Sequence, residues 1–152
     1  SVVLDTSLKE TGPEMFEKAI SVATSFVSMI EKTGCLMDLI FMHKDPQIYT
    51  AGRGLARTNN LIGALARVEG IDDGEYNSLG RLIIKNDNEL TTCVVVLSGW
   101  SLERREFLER LRESGLALII YAIGEGNPPE DALLCKVKWV RCDTIEKDLM
   151  TR

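Results

Sequence analysis

The chain has no basic excess. Its 18 Lys and Arg face 23 Asp and Glu, for a formal net charge of −5. General nucleic-acid binding needs a basic face that neutralises phosphates, so this balance argues against it. No apolar run reaches the length of a membrane span. The basic start, apolar middle and small-residue cleavage site of a signal peptide are missing as well. Histidine occurs once, as His43 beside a turn, with no Ser or Cys nucleophile placed near it by sequence, so a catalytic triad cannot be argued. The four cysteines, Cys35, Cys93, Cys135 and Cys142, form no CxxC pair. Cys35 and Cys93 stand at the starts of apolar stretches, where free cysteine behaves as a small hydrophobe. Reduced cysteines are expected, rather than disulfides or zinc. The P-loop pattern is absent, and Gly124-Glu125-Gly126 lacks the third glycine of a dinucleotide fingerprint. There is no internal repeat and no low-complexity linker.

What is present is the composition of an ordinary globular protein. At 152 residues the chain reads as one domain over 1–152, long enough to bury a core. It begins without Met and already in a strand, as expected of a domain excised from a longer protein. The lack of a membrane segment here therefore says nothing about that parent.

The opening, Ser1-Val2-Val3-Leu4-Asp5-Thr6-Ser7-Leu8-Lys9, reads as a strand ending in a polar loop. From Pro13 to Thr33, Phe16, Ile20, Ala23, Val27 and Ile30 fall on one helical stripe, and Gly34 follows. Cys35 to Met42 reads as a buried strand, and Gln47 to Ala51 as a second strand pairing with it in an antiparallel hairpin at the sheet edge. Thr58 suits the N-cap of a helix carrying Leu61, Ala64, Leu65 and Val68. Glu75 to Lys85 reads as helix, Thr91 to Leu97 as a buried strand, and Leu102 to Ser114 as helix. Leu116 to Ile123 is another buried strand. Gly124 to Asp131 is a loop, and Val137 to Cys142 alternates like a half-exposed strand. A short amphipathic tail from Thr144 to Met150 closes the chain. Strands alternating with helices predict a three-layer, doubly wound α/β fold with a mostly parallel sheet and one antiparallel edge strand. In such sheets ligands sit beyond the carboxyl ends of the strands. Asp5 and Ser7 stand at one of those ends.

This order, with Val3-Leu4-Asp5-Thr6-Ser7 at its front, resembles a von Willebrand factor A (vWA) domain. Val95-Val96-Leu97-Ser98-Gly99-Trp100, the Glu-Arg-Arg helix after it and Phe16-Glu17-Lys18-Ala19-Ile20-Ser21-Val22-Ala23 make it most similar to one branch. That branch is the bacterial and archaeal vWA-like family known only as domain of unknown function 58. The resemblance spans essentially the whole chain. It implies a protein-interaction module in a cytoplasmic domain, whose parent protein is membrane-anchored and whose partner is a MoxR-type AAA+ ATPase. It implies no enzymatic activity.

Many vWA domains carry a metal-ion-dependent adhesion site (MIDAS): Asp-x-Ser-x-Ser after the first strand, a Thr in a later loop, and an Asp after the fourth strand. Mg²⁺ favours such oxygen ligands, which leave one position for a partner's carboxylate. By this resemblance Asp5, Ser7 and Thr58 match. Lys9 replaces the second Ser, and the late Asp is missing because the strand runs into Ser98-Gly99. Two charges a few ångströms apart near a surface interact by about 1 to 4 kcal/mol. Lys9 could therefore neutralise Asp5 in place of a metal; the alternative is a Lys9 that points into solvent beside an empty site. Real Mg²⁺ binding is the less favoured third reading, and the expectation is a degenerate, metal-free MIDAS with no cofactor. Its binding surface would comprise Asp5, Ser7, Lys9, Thr58, Ser98 and Trp100.

Two features stay open. Gly52-Arg53-Gly54 with Arg57 could hold an anion at a helix start, or be ordinary loop. Trp100 could be a binding hot spot or close the top of the core. Trp139 reads as a sheet-face core residue. The Glu103 to Glu113 charges read as a solvated face with i,i+4 pairs. A different class of function, a metal-dependent hydrolase or phosphoryl-handling enzyme on a doubly wound sheet, lacks a nucleophile–base pair and has few carboxylates at strand ends.

Overall fold

Val2, Val3 and Leu4 have no solvent exposure at all, because the strand they form lies in the middle of the sheet with helices over both faces. A computed structural model of the chain describes residues 1–51, 55–72, 75–86 and 92–142. The elements run β1 (Val2–Leu4), α1 (Pro13–Thr33), β2 (Met37–Met42), β3 (Pro46–Ala51), α2 (Leu55–Ala66), α3 (Tyr76–Lys85), β4 (Thr92–Leu97), α4 (Leu102–Glu113), β5 (Ala117–Gly124), α5 (Glu130–Leu134) and β6 (Lys138–Arg141). The described strands form one sheet in the order β3-β2-β1-β4-β5-β6. All neighbours pair in parallel except β2 and β3, which pair antiparallel with Leu39 opposite Tyr49. This is the expected architecture, with the hairpin supplying the antiparallel edge.

Side chains alternate across the strands, so each strand feeds two cores. Val2, Leu4, Leu39, Phe41, Val96 and Ile123 pack under α1 and α2. Val3, Ile40, Val95, Leu97 and Ile120 pack under α3 and α4. Of the expected stripe on α1, Phe16, Ala23 and Val27 are buried and Ile20 partly so, while Ala19 joins them and the Ile30 side chain lies outside what is described.

Several boundaries differ from the sequence reading. Cys35 and Leu36 are exposed, and β2 begins only at Met37. Thr58 lies within α2, which starts at Leu55, and so is not its N-cap. The loop after β5 contains a short helix, α5, whose first turn carries Glu130 and Asp131, charges that favour a helix start. Gly52-Arg53-Gly54 and the tail from Thr144 lie outside the described residues. No helix among the described residues is long and apolar enough to cross a membrane.

Strand order reverses at β1 and β4: successive connections run one way from β1 and the other way from β4. The crevice beyond the carboxyl ends of such a pair is where open α/β sheets place ligands. Asp5 follows β1 and Ser98 follows β4, and the Asp5 backbone N–H donates to Val96 O at 2.9 Å.

Candidate functional site

The loop after β1 is pinned on both sides. Thr6 Oγ1 donates to Met42 O at the end of β2. Leu8 N–H donates to Ile71 O, and Ile71 N–H to Thr6 O, so residues beyond α2 form a short parallel bridge to the loop. Ser7 N–H turns back to Asp5 Oδ1 at 3.0 Å, and Lys9 N–H donates to Ser7 Oγ. Pairing on both flanks draws Asp5, Thr6 and Ser7 inside, each no more than 2% exposed.

A buried carboxylate is costly unless its oxygens are hydrogen-bonded and its charge is paired. Asp5 has both. Oδ1 accepts from Ser7 N–H and from the Tyr76 hydroxyl at 2.9 Å. Oδ2 accepts from Ser98 N–H at 3.3 Å, Ser98 Oγ at 3.2 Å and Arg104 Nε at 2.6 Å. Arg104 and Asp5 are each 2% exposed, which makes this a fully buried ion pair.

The guanidinium carries five N–H donors, and each has a partner inside the protein. Besides Nε to Asp5, one terminal nitrogen donates to Lys9 O and Ser101 Oγ, both at 3.3 Å. The other donates to Ser7 O at 3.2 Å and Thr11 Oγ1 at 3.1 Å. Gly99 makes room for this arrangement. Its φ is +145°, and a Cβ there would come within 2.8 Å of Thr11 Oγ1. Burial works against the charge on Arg104 more than any other single influence, but the attraction and hydrogen bond of Asp5 together with Tyr76 and Glu10 outweigh it, and the guanidinium pKa rises above its ordinary value. Burial and the Asp5 charge both push the Tyr76 phenol far above the usual tyrosine range.

Lys9 does not take the role considered for it. The cation on Asp5 is Arg104, while the Lys9 ammonium is half exposed and pairs with Glu103 at 2.8 Å. Of the other expected residues, Asp5, Ser7 and Ser98 come together and are buried. The Thr58 side chain lies outside what is described. Trp100 is half-buried, packs against the α3/α4 core and donates its indole N–H to Asp131 at 3.0 Å. His43 is an exposed turn residue.

Sequence reasoning missed Arg104, Tyr76 and Thr11. A signal for Arg104 existed: it stands one helical turn before Leu108 and two before Leu111, at the head of the buried stripe of α4. An open cavity of about 440 Å³ lies next to the pair between α3 and α4. Its polar groups largely satisfy one another through Lys9–Glu103, Ser78–Glu75 and Arg110–Asn77. Among the described residues no three His, Cys, Asp or Glu side chains cluster as metal ligands would.

No protein-family model matches the chain, and neither does any curated protein sequence. Solved structures do. Proximal thread matrix protein 1 from the mussel byssus superposes with a TM-score of 0.61 at 13% identity, over 98% of this chain and 43% of its own. This chain thus spans less than half of that protein. The same mussel protein is also known with zinc in its MIDAS motif. BatB from Bacteroides thetaiotaomicron gives a TM-score of 0.58 at 12% identity, over 98% of this chain and 95% of its own. An aerotolerance-related membrane protein from Bacteroides fragilis gives 0.51 at 14%, over 84% and 67%. At these identities the likeness is one of fold. The fold is that of a vWA-like domain, as the strand and helix order predicted.

Proposed function

We propose that this chain is a protein-interaction module of vWA type whose MIDAS-like loop works with an arginine in place of a divalent ion. The observation that carries this reading is the Asp5–Arg104 pair. The residues present do not suit Mg²⁺. The one anionic ligand expected of the site already accepts from five donors, one of them a guanidinium nitrogen at 2.6 Å. A divalent ion there would be repelled by Arg104 and would have to displace it. With all five N–H groups directed inward, the guanidinium also offers nothing to a partner's carboxylate.

A partner would therefore be gripped by the rim of the crevice, by Lys9, Glu103 and Trp100, rather than by its buried floor. On this reading the chain is not an enzyme. The resemblance to the domain-of-unknown-function 58 family supplies the partner class, a MoxR-type AAA+ ATPase, and a cytoplasmic location in a membrane-anchored parent.

The test is co-purification with a MoxR-type ATPase from the same genome, with and without EDTA, alongside a Mg²⁺ and Mn²⁺ titration of thermal stability. The expected result is capture unaffected by EDTA and a melting temperature unmoved by metal. A large saturable rise at low millimolar metal, or capture abolished by EDTA, would sink the arginine-for-metal reading. Absence of capture under every condition would remove the ATPase as partner.

A further inference from the structure

A second cleft, of about 270 Å³, opens at the same edge of the sheet, over the carboxyl ends of β4 and β5 and beside β6. Trp100 and Trp139 line it. Both indole N–H groups are already committed: Trp100 Nε1 to Asp131 Oδ2 at 3.0 Å, and Trp139 Nε1 to Gly126 O at 3.1 Å. Those bonds hold the rings by their polar edges, so what the two side chains offer the cleft is ring carbon rather than a hydrogen-bond donor. Trp139 is fixed further by Gly124, where a Cβ would lie 2.0 Å from the indole Cζ2.

Glu10 and Glu125 also line it, beside apolar Met15 and Ile123, and both glutamates are exposed. Glu10 is held in a left-handed turn, φ 58°. Neither carboxylate forms a hydrogen bond or ion pair with another described residue. Among the described residues no Lys or Arg lines the cleft. The nearby Arg104 feels the charge of Glu10, but its donors all point elsewhere.

Two indoles and two carboxylates, with no described Lys or Arg in their lining, make a site of definite charge preference. Trp is the best ring for attracting a cation over its face, and a planar guanidinium adds stacking to that attraction. We propose that this cleft is a socket for an arginine side chain of a partner protein. The proposal rests on the interaction-module reading and names the chemistry of its partner. An adhesion-type metal site takes a carboxylate from its partner. Here the cation is internal, and the surface beside it has the opposite appetite.

The chain has only two tryptophans, and both line this cleft, so intrinsic fluorescence reports on it directly. Titration with a tetra-arginine peptide is expected to give a saturable emission change that salt weakens. Affinity should fall about fivefold or more in the Glu10→Gln/Glu125→Gln double variant, the loss expected for two exposed charge contacts. It should hold in Glu17→Gln/Glu113→Gln, which removes the same charge from exposed positions outside the cleft. A tetra-glutamate peptide should give no change. The socket is overturned by the absence of a saturable change with tetra-arginine, by equal weakening in both double variants, or by an equal response to tetra-glutamate. Because the probe is a peptide, the outcome is independent of whether a MoxR-type ATPase is captured.

Discussion

Asp5 determines what its neighbours must be. It is a carboxylate 2% exposed just beyond the end of β1, and Arg104 is its counter-charge. Removing one member of a buried pair leaves the other uncompensated and costs about 3 to 5 kcal/mol. Arg104→Met is expected to lower stability by that amount in urea denaturation. Arg104→Met combined with Asp5→Asn should lose less than the sum of the two single changes, because the pair is coupled. Purely additive losses would mean that the pair contributes nothing as a pair. Tyr76 gives the site a pH signature. Its phenol keeps its proton in the folded chain far beyond the pH at which an unfolded tyrosine releases it. The resulting stability is therefore intact below about pH 10 and is lost as pH rises above that value. Tyr76→Phe should cost about 1 to 3 kcal/mol at neutral pH through the missing hydrogen bond to a charged acceptor. It should also show a shallower decline in stability under alkali than the parent chain, measured by urea midpoints from pH 8 to 11.

At the scale of elements, α4 carries both the expected surface and the unexpected site. Its i,i+4 pair of Arg105 with Glu109 at 3.0 Å is the solvated face that the charge pattern predicted. Arg104, one residue earlier, turns the other way and joins Phe107, Leu108 and Leu111 inside. The charge run conceals it because charged residues are read as exposed, whereas its helical phase is that of the leucines. Ser101 caps this helix through Arg104 N–H and also accepts from the guanidinium, so the helix start and the site share one hydroxyl. On the other side of β4, the end of β5 holds Trp139 against Gly124. Gly124→Ala inserts a methyl where the ring sits and should cost about 1 to 3 kcal/mol by overpacking. The near-UV circular dichroism of the indoles should change with it. A variant of wild-type stability with an unchanged near-UV spectrum would show that Trp139 does not pack there. Gly124 to Asp131 reads as loop because Gly126, Pro128 and Pro129 dominate the stretch, yet its last two residues open α5. The acids Glu130 and Asp131 after Pro129 were the helix signal within it.

For the whole molecule, periodicity carried most of the architecture. Apolar runs of strand length alternating with helical stripes imply a parallel sheet covered on both faces, and the short link after Met42 implies an antiparallel edge. Both follow from local rules of spacing and connection length. The same rules place Asp5 and Ser98 beyond the ends of β1 and β4, the two strands at which the order reverses. The sequence by itself therefore determined the layers, the edge hairpin and the address of the site, because burial period and loop length are local properties. What fills that site was decided by tertiary structure. Arg104 meets Asp5 across 99 positions and Tyr76 meets it across 71, distances over which no periodicity links one residue to another. Lys9, four residues from Asp5, was the nearer candidate along the chain. The pinned loop and the start of α4 put Arg104 against the carboxylate and leave Lys9 at the rim with Glu103. Trp100 and Trp139 likewise share a cleft only because β4, β5 and β6 lie side by side in the sheet.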